Sequence, residues 1–152
     1  AYEIPLRLVV SEMCIRDRLG TEDGLVLDSP LFEFFLKDDD LGDPLINDEH
    51  ILSFGWANMD QIKEMKKQTY KVNEVLSKLF LESGLILVDF KVEYGVYNGK
   101  IILADEFTPD GCRLWDSQTM KKMDKDRFRQ GLGDVVESYH QVADRLGMNI
   151  ET

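Results

Sequence analysis

The sequence of 152 residues predicts an α+β fold, with helices packed on an antiparallel sheet. Two long stretches repeat apolar residues at helical spacing. Between them stand two segments rich in β-branched residues joined by Asn98-Gly99, a strong short hairpin signal. An upstream segment alternates, so the order reads strand, helix, hairpin, helix.

Within PLFEFFLKDDD, alternation puts Phe32, Phe34 and Leu36 on one face and Leu31, Phe35 and Lys37 on the other. Residues 57 to 83 place Ile62, Met65, Val72, Val75, Leu76, Leu79 and Phe80 on one helical stripe, with Thr69 filling its gap. Asn58 can cap the start with Gln61 three residues on, and Gly84 suits the left-handed residue past the end. The spacing predicts a second helix from about Lys125 to Leu146, carrying Phe128, Leu132, Val135, Val136, Tyr139, Val142 and Leu146 on one side. Asp124 is its expected N-cap and Gly147 its stop. The chain shows no internal repeat and no low-complexity segment.

An apolar fraction of 43% fits one globular domain of this length, and no apolar run reaches the ~18 residues of a membrane helix. A net charge of -11 argues against a nucleic-acid surface, which needs clustered bases. AYEIPLRLVV lacks the pattern of a signal peptide, so a cytoplasmic protein is expected. Cys14 and Cys112 are too far apart in sequence for a metal motif or a disulfide framework and read as reduced thiols.

In the first hairpin strand, alternation puts Ile86, Val88, Phe90, Val92 and Tyr94 on one face and Leu87, Asp89, Lys91 and Glu93 on the other. The charged row reads either as a solvated sheet face or as part of a site. Leu87 shares that row, and the partner strand is apolar until it ends in Asp105 and Glu106. A two-residue turn would pair Glu93 with Ala104 and Lys91 with Glu106, whereas a slip of one residue would pair Glu93 with Asp105. Either register brings carboxylates together. Oxygen-only ligands suit Mg²⁺, which takes one or two carboxylates plus substrate phosphates. Next, Pro109-Asp110-Gly111 forms a tight turn followed by Arg113, a planar donor for carboxylate or phosphate. His50 and His140 are lone histidines, Asp38-Asp39-Asp40 reads as a solvated loop, and Trp56 and Trp115 read as packing residues. The phosphate-loop, dinucleotide, zinc-protease and serine-hydrolase signatures are missing.

The words LDSPLFEFFLKDD, GDPLIN, GLILVDFKVEYG, ILADEFTPDGCRLWD, MDKDRFRQGLGDVVESY and RLG resemble, in order and spacing, the SAICAR synthetase family of purine biosynthesis. The resemblance runs from Arg18 to the end of the chain. It implies an ATP-dependent carbon-nitrogen ligase that activates the carboxylate of carboxyaminoimidazole ribonucleotide (CAIR) as an acyl phosphate. The amine of L-aspartate then attacks, giving the succinocarboxamide, ADP and phosphate. It also implies a two-domain fold resembling ATP-grasp enzymes, of which this chain would supply the larger domain, and a homo-oligomer. By the same resemblance, Glu93 and Asp105 match acids at the metal and nucleotide, which favours the register pairing them. Lys37 matches a lysine near ATP. Lys91, Asp110 and Arg113 match positions that hold the ribonucleotide and are the candidate catalytic residues. Asp89 is a further candidate at the metal, and Lys125 and Arg129 are candidates facing the same cleft.

The sequence departs from the family in two places. About the first third of the family chain, a β-rich domain covering ATP, has no counterpart. SEMCIRDR also stands where the family has an Arg-Asn-x-Ala-Ala-Gly-Ser phosphate-binding stretch. The expected organisation is therefore an edge of that domain within residues 1–17, including a non-native segment at Ser11 to Asp17, and the family domain over residues 18–152. Two other readings stand beside the ligase: a non-catalytic ribonucleotide-binding module and an acidic structural domain.

Overall fold

The computed structural model describes residues 6–10, 20, 24–38, 40–104, 108, 111–124, 127, 131 and 133–148. The chain divides into two units, Ala1–Val72 with Lys91–Glu106, and Asn73–Phe90 with Phe107–Thr152. Its elements are β1 (Leu6–Val10), β2 (Glu33–Leu36), β3 (Leu45–Ile46), α1 (Asp48–Ser53), α2 (Met59–Glu82), β4 (Leu85–Tyr97), β5 (Lys100–Leu103), β6 (Cys112–Asp116) and α3 (Val135–Arg145). The α+β expectation holds, with more elements than the sequence suggested. Segment 11–17 lies outside the described residues.

In the first unit the strands run in the order β3-β2-β1-β4-β5. Leu8 lies opposite Phe34 and Phe34 opposite Ile46, both in antiparallel pairs. The turn into β5 is the tight form. Asn98 and Gly99 both take positive φ, 49° and 74°, and Tyr97 pairs with Lys100 across them. A Cβ built on Gly99 meets nothing within 4 Å, so only the backbone resists substitution there. Gly99→Val is accordingly expected to cost about 1–2 kcal/mol, read as a lower urea midpoint at unchanged slope. A cost near zero would show that the turn had relaxed to another type.

The core of this unit is built from Phe34, Ile51, Ile62, Met65, Val92 and Tyr94, all buried. Asn58 and Gln61 close a reciprocal capping box at 2.9 Å each way, as the sequence predicts, and Gly84 takes φ +71° past the helix end. The polar gap in the α2 stripe has a reason. Thr69 is buried, donates to the carbonyl of Met65 at 2.9 Å and shares a 2.9 Å hydrogen bond with the Tyr94 hydroxyl. Burial pushes the Tyr94 phenol above its ordinary value, and the Thr69 bond pulls in the opposite direction. The α1 helix was not anticipated. Its capping box pairs Asn47 with His50, whose Nδ1 accepts from the Asn47 amide at 3.1 Å, so this lone histidine has a structural use. Farther along α2 the predicted stripe loosens: Phe80 is buried, but Val75 and Leu79 are exposed.

In the second unit, residues 85–90 of β4 pair with β6. Leu85 opposes Asp116, Ile86 opposes Trp115 and Leu87 opposes Leu114, but Asp89 then opposes Arg113, so Val88 is an extra residue, a β-bulge. The regular alternation expected through this stretch is thereby corrected. Opposed residues share a face, so Leu85, Leu87 and Phe90 lie with Cys112 and Leu114, while Ile86 and Asp89 lie with Arg113 and Trp115. Every residue of β6 is buried, so it shows no alternation of polar and apolar positions.

The other side of β6 is covered by the chain that follows it. Asp116 N donates to Lys121 O at 2.8 Å, Met123 N to Leu114 O at 2.8 Å, and Leu114 N to the Asp124 carboxylate at 2.7 Å. Asp124 thus gives its carboxylate to β6, while Arg127, a helical residue, donates its amide to the Asp124 carbonyl at 3.1 Å. The single long helix is corrected to a broken one, because Gly131, Gly133 and Asp134 all take positive φ, which no helix accommodates, and α3 runs over Val135–Arg145. Buried Arg127 braces the approach, donating to the carbonyls of Gly133 at 3.0 Å and Lys122 at 3.2 Å. On α3, Val142 is buried as expected, whereas Val136 is exposed.

Asp116 closes this unit's turn. Its carboxylate accepts from the Thr119 hydroxyl and amide at 2.7 Å each and from the Gln118 amide at 3.1 Å, and it pairs with Arg145 at 2.7 Å. The Thr119 hydrogen bonds, then Arg145, hold its carboxyl well below the usual carboxylate range. A carboxylate lowered by folding stabilises the native state fully above its unfolded value of about 3.9 and loses that contribution as pH falls through its folded value. The melting temperature should therefore fall as pH drops from about 5 to about 2, and Asp116→Asn should flatten part of that slope. Parallel slopes for the two proteins would remove Asp116 from the acid response.

Candidate functional site

In the first unit, Lys37 follows the end of β2, and Lys91 and Glu93 stand on β4. Lys37 Nζ lies 2.8 Å from Glu93 Oε2, and Lys91 Nζ lies 4.0 Å from Glu93 Oε1. One carboxylate thus sits between two ammonium groups. Val92 and Tyr94 alternate with Lys91 and Glu93 and are buried in the core, which fixes where the charged pair points. The Glu93 side chain is only 14% exposed, so this stretch is not a solvated sheet face. Ala104 N donates to Glu93 O at 2.9 Å, so the tight-turn register is formed and Glu93 opposes Ala104. The register that would pair Glu93 with Asp105, favoured by the family resemblance, is not formed. Asn98-Gly99 is strong enough turn chemistry to set the count by itself.

In the second unit, Asp89 and Arg113 form a buried ion pair. Arg113 Nε donates to Asp89 Oδ1 at 2.9 Å, and Nη2 meets Oδ2; the side chains are 9% and 7% exposed for Arg113 and Asp89. Of the two oxygens that the sequence reading offered to a metal, Oδ1 accepts from the guanidinium and Oδ2 faces Nη2 as an ion-pair contact without a hydrogen bond. Trp115 is buried in the same unit with the Lys122 ammonium 5.8 Å from its ring centroid, consistent with packing.

Asp105, Glu106, Asp110, Lys125 and Arg129 lie outside the described residues, as does Cys14. Cys112 is buried. Among the described residues no group of three His, Cys, Asp or Glu side chains could hold a metal. Oxygen donors are what Mg²⁺ takes, and the Glu93 carboxylate lies 2.8 Å from Lys37 and 4.0 Å from Lys91. The acidic loop is built for its own turn, Asp38 accepting from the Leu41 amide at 3.0 Å and donating its own amide to Asp43 at 2.9 Å. Among the described residues no helix is long and apolar enough to cross a membrane.

Among the described residues of the first unit two open clefts are formed. One, of about 550 Å³, is lined by Asn58, Asp60, Glu64, Gln68, Lys100 and Ile101 among others. The second, of about 330 Å³, has Phe32, Phe34, Asp48, His50 and Lys66 in its wall. Neither contains a residue the sequence reading assigned to the site. Lys66 is already committed, 2.6 Å from Asp48 and 5.6 Å from each phenyl centroid.

The family model described as SAICAR synthetase matches residues 3–146. The phosphoribosylaminoimidazole-succinocarboxamide synthase of Alcanivorax borkumensis is 58% identical over 151 residues, covering 97% of this chain and 63% of that protein. The chain thus spans about 63% of the length of the curated relatives it matches. A crystal structure of the synthase from Ehrlichia chaffeensis superposes with a TM-score of 0.92 at 40% identity, over 99% of this chain and 66% of that one. A SAICAR synthetase in complex with ADP gives 0.93 at 40% identity, with the same coverage.

Proposed function

The chain belongs to the SAICAR synthetase family, and on that premise we propose that it carries the larger-domain part of an enzyme joining L-aspartate to CAIR at the expense of ATP, in the cytoplasm and with small-molecule substrates. The observation that carries this reading is the Lys37–Glu93–Lys91 arrangement, found in a chain similar at 40% identity to a family member solved with ADP. Phosphoryl transfer onto a carboxylate gathers negative charge, and fixed cations with a metal supply most of its stabilisation.

Lys37, its side chain 41% exposed, would exchange Glu93 for a nucleotide phosphate. Lys91, 34% exposed, is the second cation and a contact for the ribonucleotide. Glu93, with Asp105, would hold Mg²⁺, which when bound would screen the phosphate charge. Arg113, with Asp110, Lys125 and Arg129, would hold the ribonucleotide. The second step needs the amine of aspartate close to an acyl phosphate, and positioning does much of that work.

Calorimetric titration with Mg²⁺-ADP tests the reading. Glu93→Gln is expected to weaken binding at least about tenfold, the loss of one charge-assisted contact. ADP formation should need both aspartate and CAIR. Equal affinity in the variant would return the charged pair to a structural role, and ribonucleotide binding without turnover would make the chain a non-catalytic module.

A further inference from the structure

The Asp89–Arg113 pair comes into being through an irregularity in the sheet. Had β4 kept the register that sets Leu87 against Leu114, Val88 would oppose Arg113 and Asp89 would oppose Cys112, on the apolar face. The extra residue at Val88 carries Asp89 across to Arg113 instead. Bulges re-aim side chains in this way. The resulting pair is buried on both sides, with Oδ1 accepting from Arg113 Nε and Oδ2 in ion-pair contact with Nη2. A buried ion pair is weak evidence for stability, since an apolar pair of similar size does as well or better. What a carboxylate hydrogen-bonded to Nε and paired with Nη2 does supply is a heading for the arginine fork.

We propose that Asp89 is a positioning residue for Arg113, holding the guanidinium in the orientation in which it receives the ribonucleotide. The inference rests on the reading above that Arg113 meets that substrate. It replaces the metal-ligand role that the sequence suggested for Asp89. Misplacing a substrate-binding group by about 1 Å can cost roughly a hundredfold, which sets the size of effect to look for.

The test titrates the full chain with 5-aminoimidazole-4-carboxamide ribonucleotide, an unreactive probe lacking the reacting carboxylate, and separately with Mg²⁺-ADP. Asp89→Asn is expected to weaken the probe by roughly ten- to a hundredfold and to leave Mg²⁺-ADP unchanged. Arg113→Gln should weaken the probe at least as much, and the double variant no more than Arg113→Gln alone, because the two residues act as one unit. Independent, multiplying losses would overturn the proposal. So would an unaltered probe affinity in Asp89→Asn, or a selective loss of Mg²⁺-ADP.

Should Asp89→Asn fail to fold, Asp89→Glu keeps the charge and shifts the oxygens by one methylene. Weaker probe binding with an unchanged melt supports the proposal, and full affinity overturns it. A wild-type chain that binds Mg²⁺-ADP but not the probe overturns the reading of Arg113 itself, and so separates that failure from this one.

Discussion

Arg113→Met is expected to destabilise the chain by about 3–5 kcal/mol, because it strands the Asp89 carboxylate without its partner. Asp89 and Arg113 are 6% and 7% exposed, so water cannot take the place of the guanidinium without opening the strand pair. A second substitution separates this cause from lost packing. Asp89→Leu added to Arg113→Met removes the orphaned charge, and the doubly substituted chain should recover most of the loss while binding no ribonucleotide. Urea unfolding of the three proteins reads both numbers. If the double variant were as unstable as the single one, the penalty would lie in side-chain volume and not in charge.

Asp124→Ala should cost about 2–3 kcal/mol, the range for a buried charge-assisted hydrogen bond whose donor is left alone. Asp124 has no exposed surface, and its carboxylate accepts the Leu114 amide at 2.7 Å in the middle of β6. Asp124→Asn keeps an acceptor and should lose less than half as much. The site of the effect can be read directly, since amide hydrogen exchange at Leu114 should accelerate ahead of its strand neighbours. Unchanged exchange there, with stability lost, would place the damage elsewhere.

The sequence was most legible where local chemistry decides the conformation. Asn58 with Gln61, Gly84 and Asn98-Gly99 each act within four residues, and each does what its residue type predicts. The tight-turn register was open to view for the same reason, and only the family resemblance argued for the slipped one. The long second helix was over-read because apolar spacing continued across Gly131 and Gly133, whose positive φ ends any helix. CRLWD gave no strand signal, because a strand buried on both faces shows no alternation and its Arg and Asp find partners that distance in sequence conceals. A bulge leaves no composition signature at all, so the face of Asp89 could be known only from the pairing. Of the candidate site, Lys37 and Lys91 both approach the Glu93 carboxylate, whereas Asp89 pairs with Arg113.

The covering of β6 has a consequence for how the protein behaves in a crowded solution. An open strand edge is a template on which another chain can add, and the first step of many aggregates is such an addition. Along residues 114–116 that invitation is withdrawn: the chain folds its own 121–124 stretch over the edge and sets an aspartate carboxylate, which accepts the Leu114 amide, at its end. Whatever tendency the second unit has to form fibrils or inclusion bodies should therefore arise when this short flap peels away, and conditions that hold it down should lengthen shelf life without touching the core.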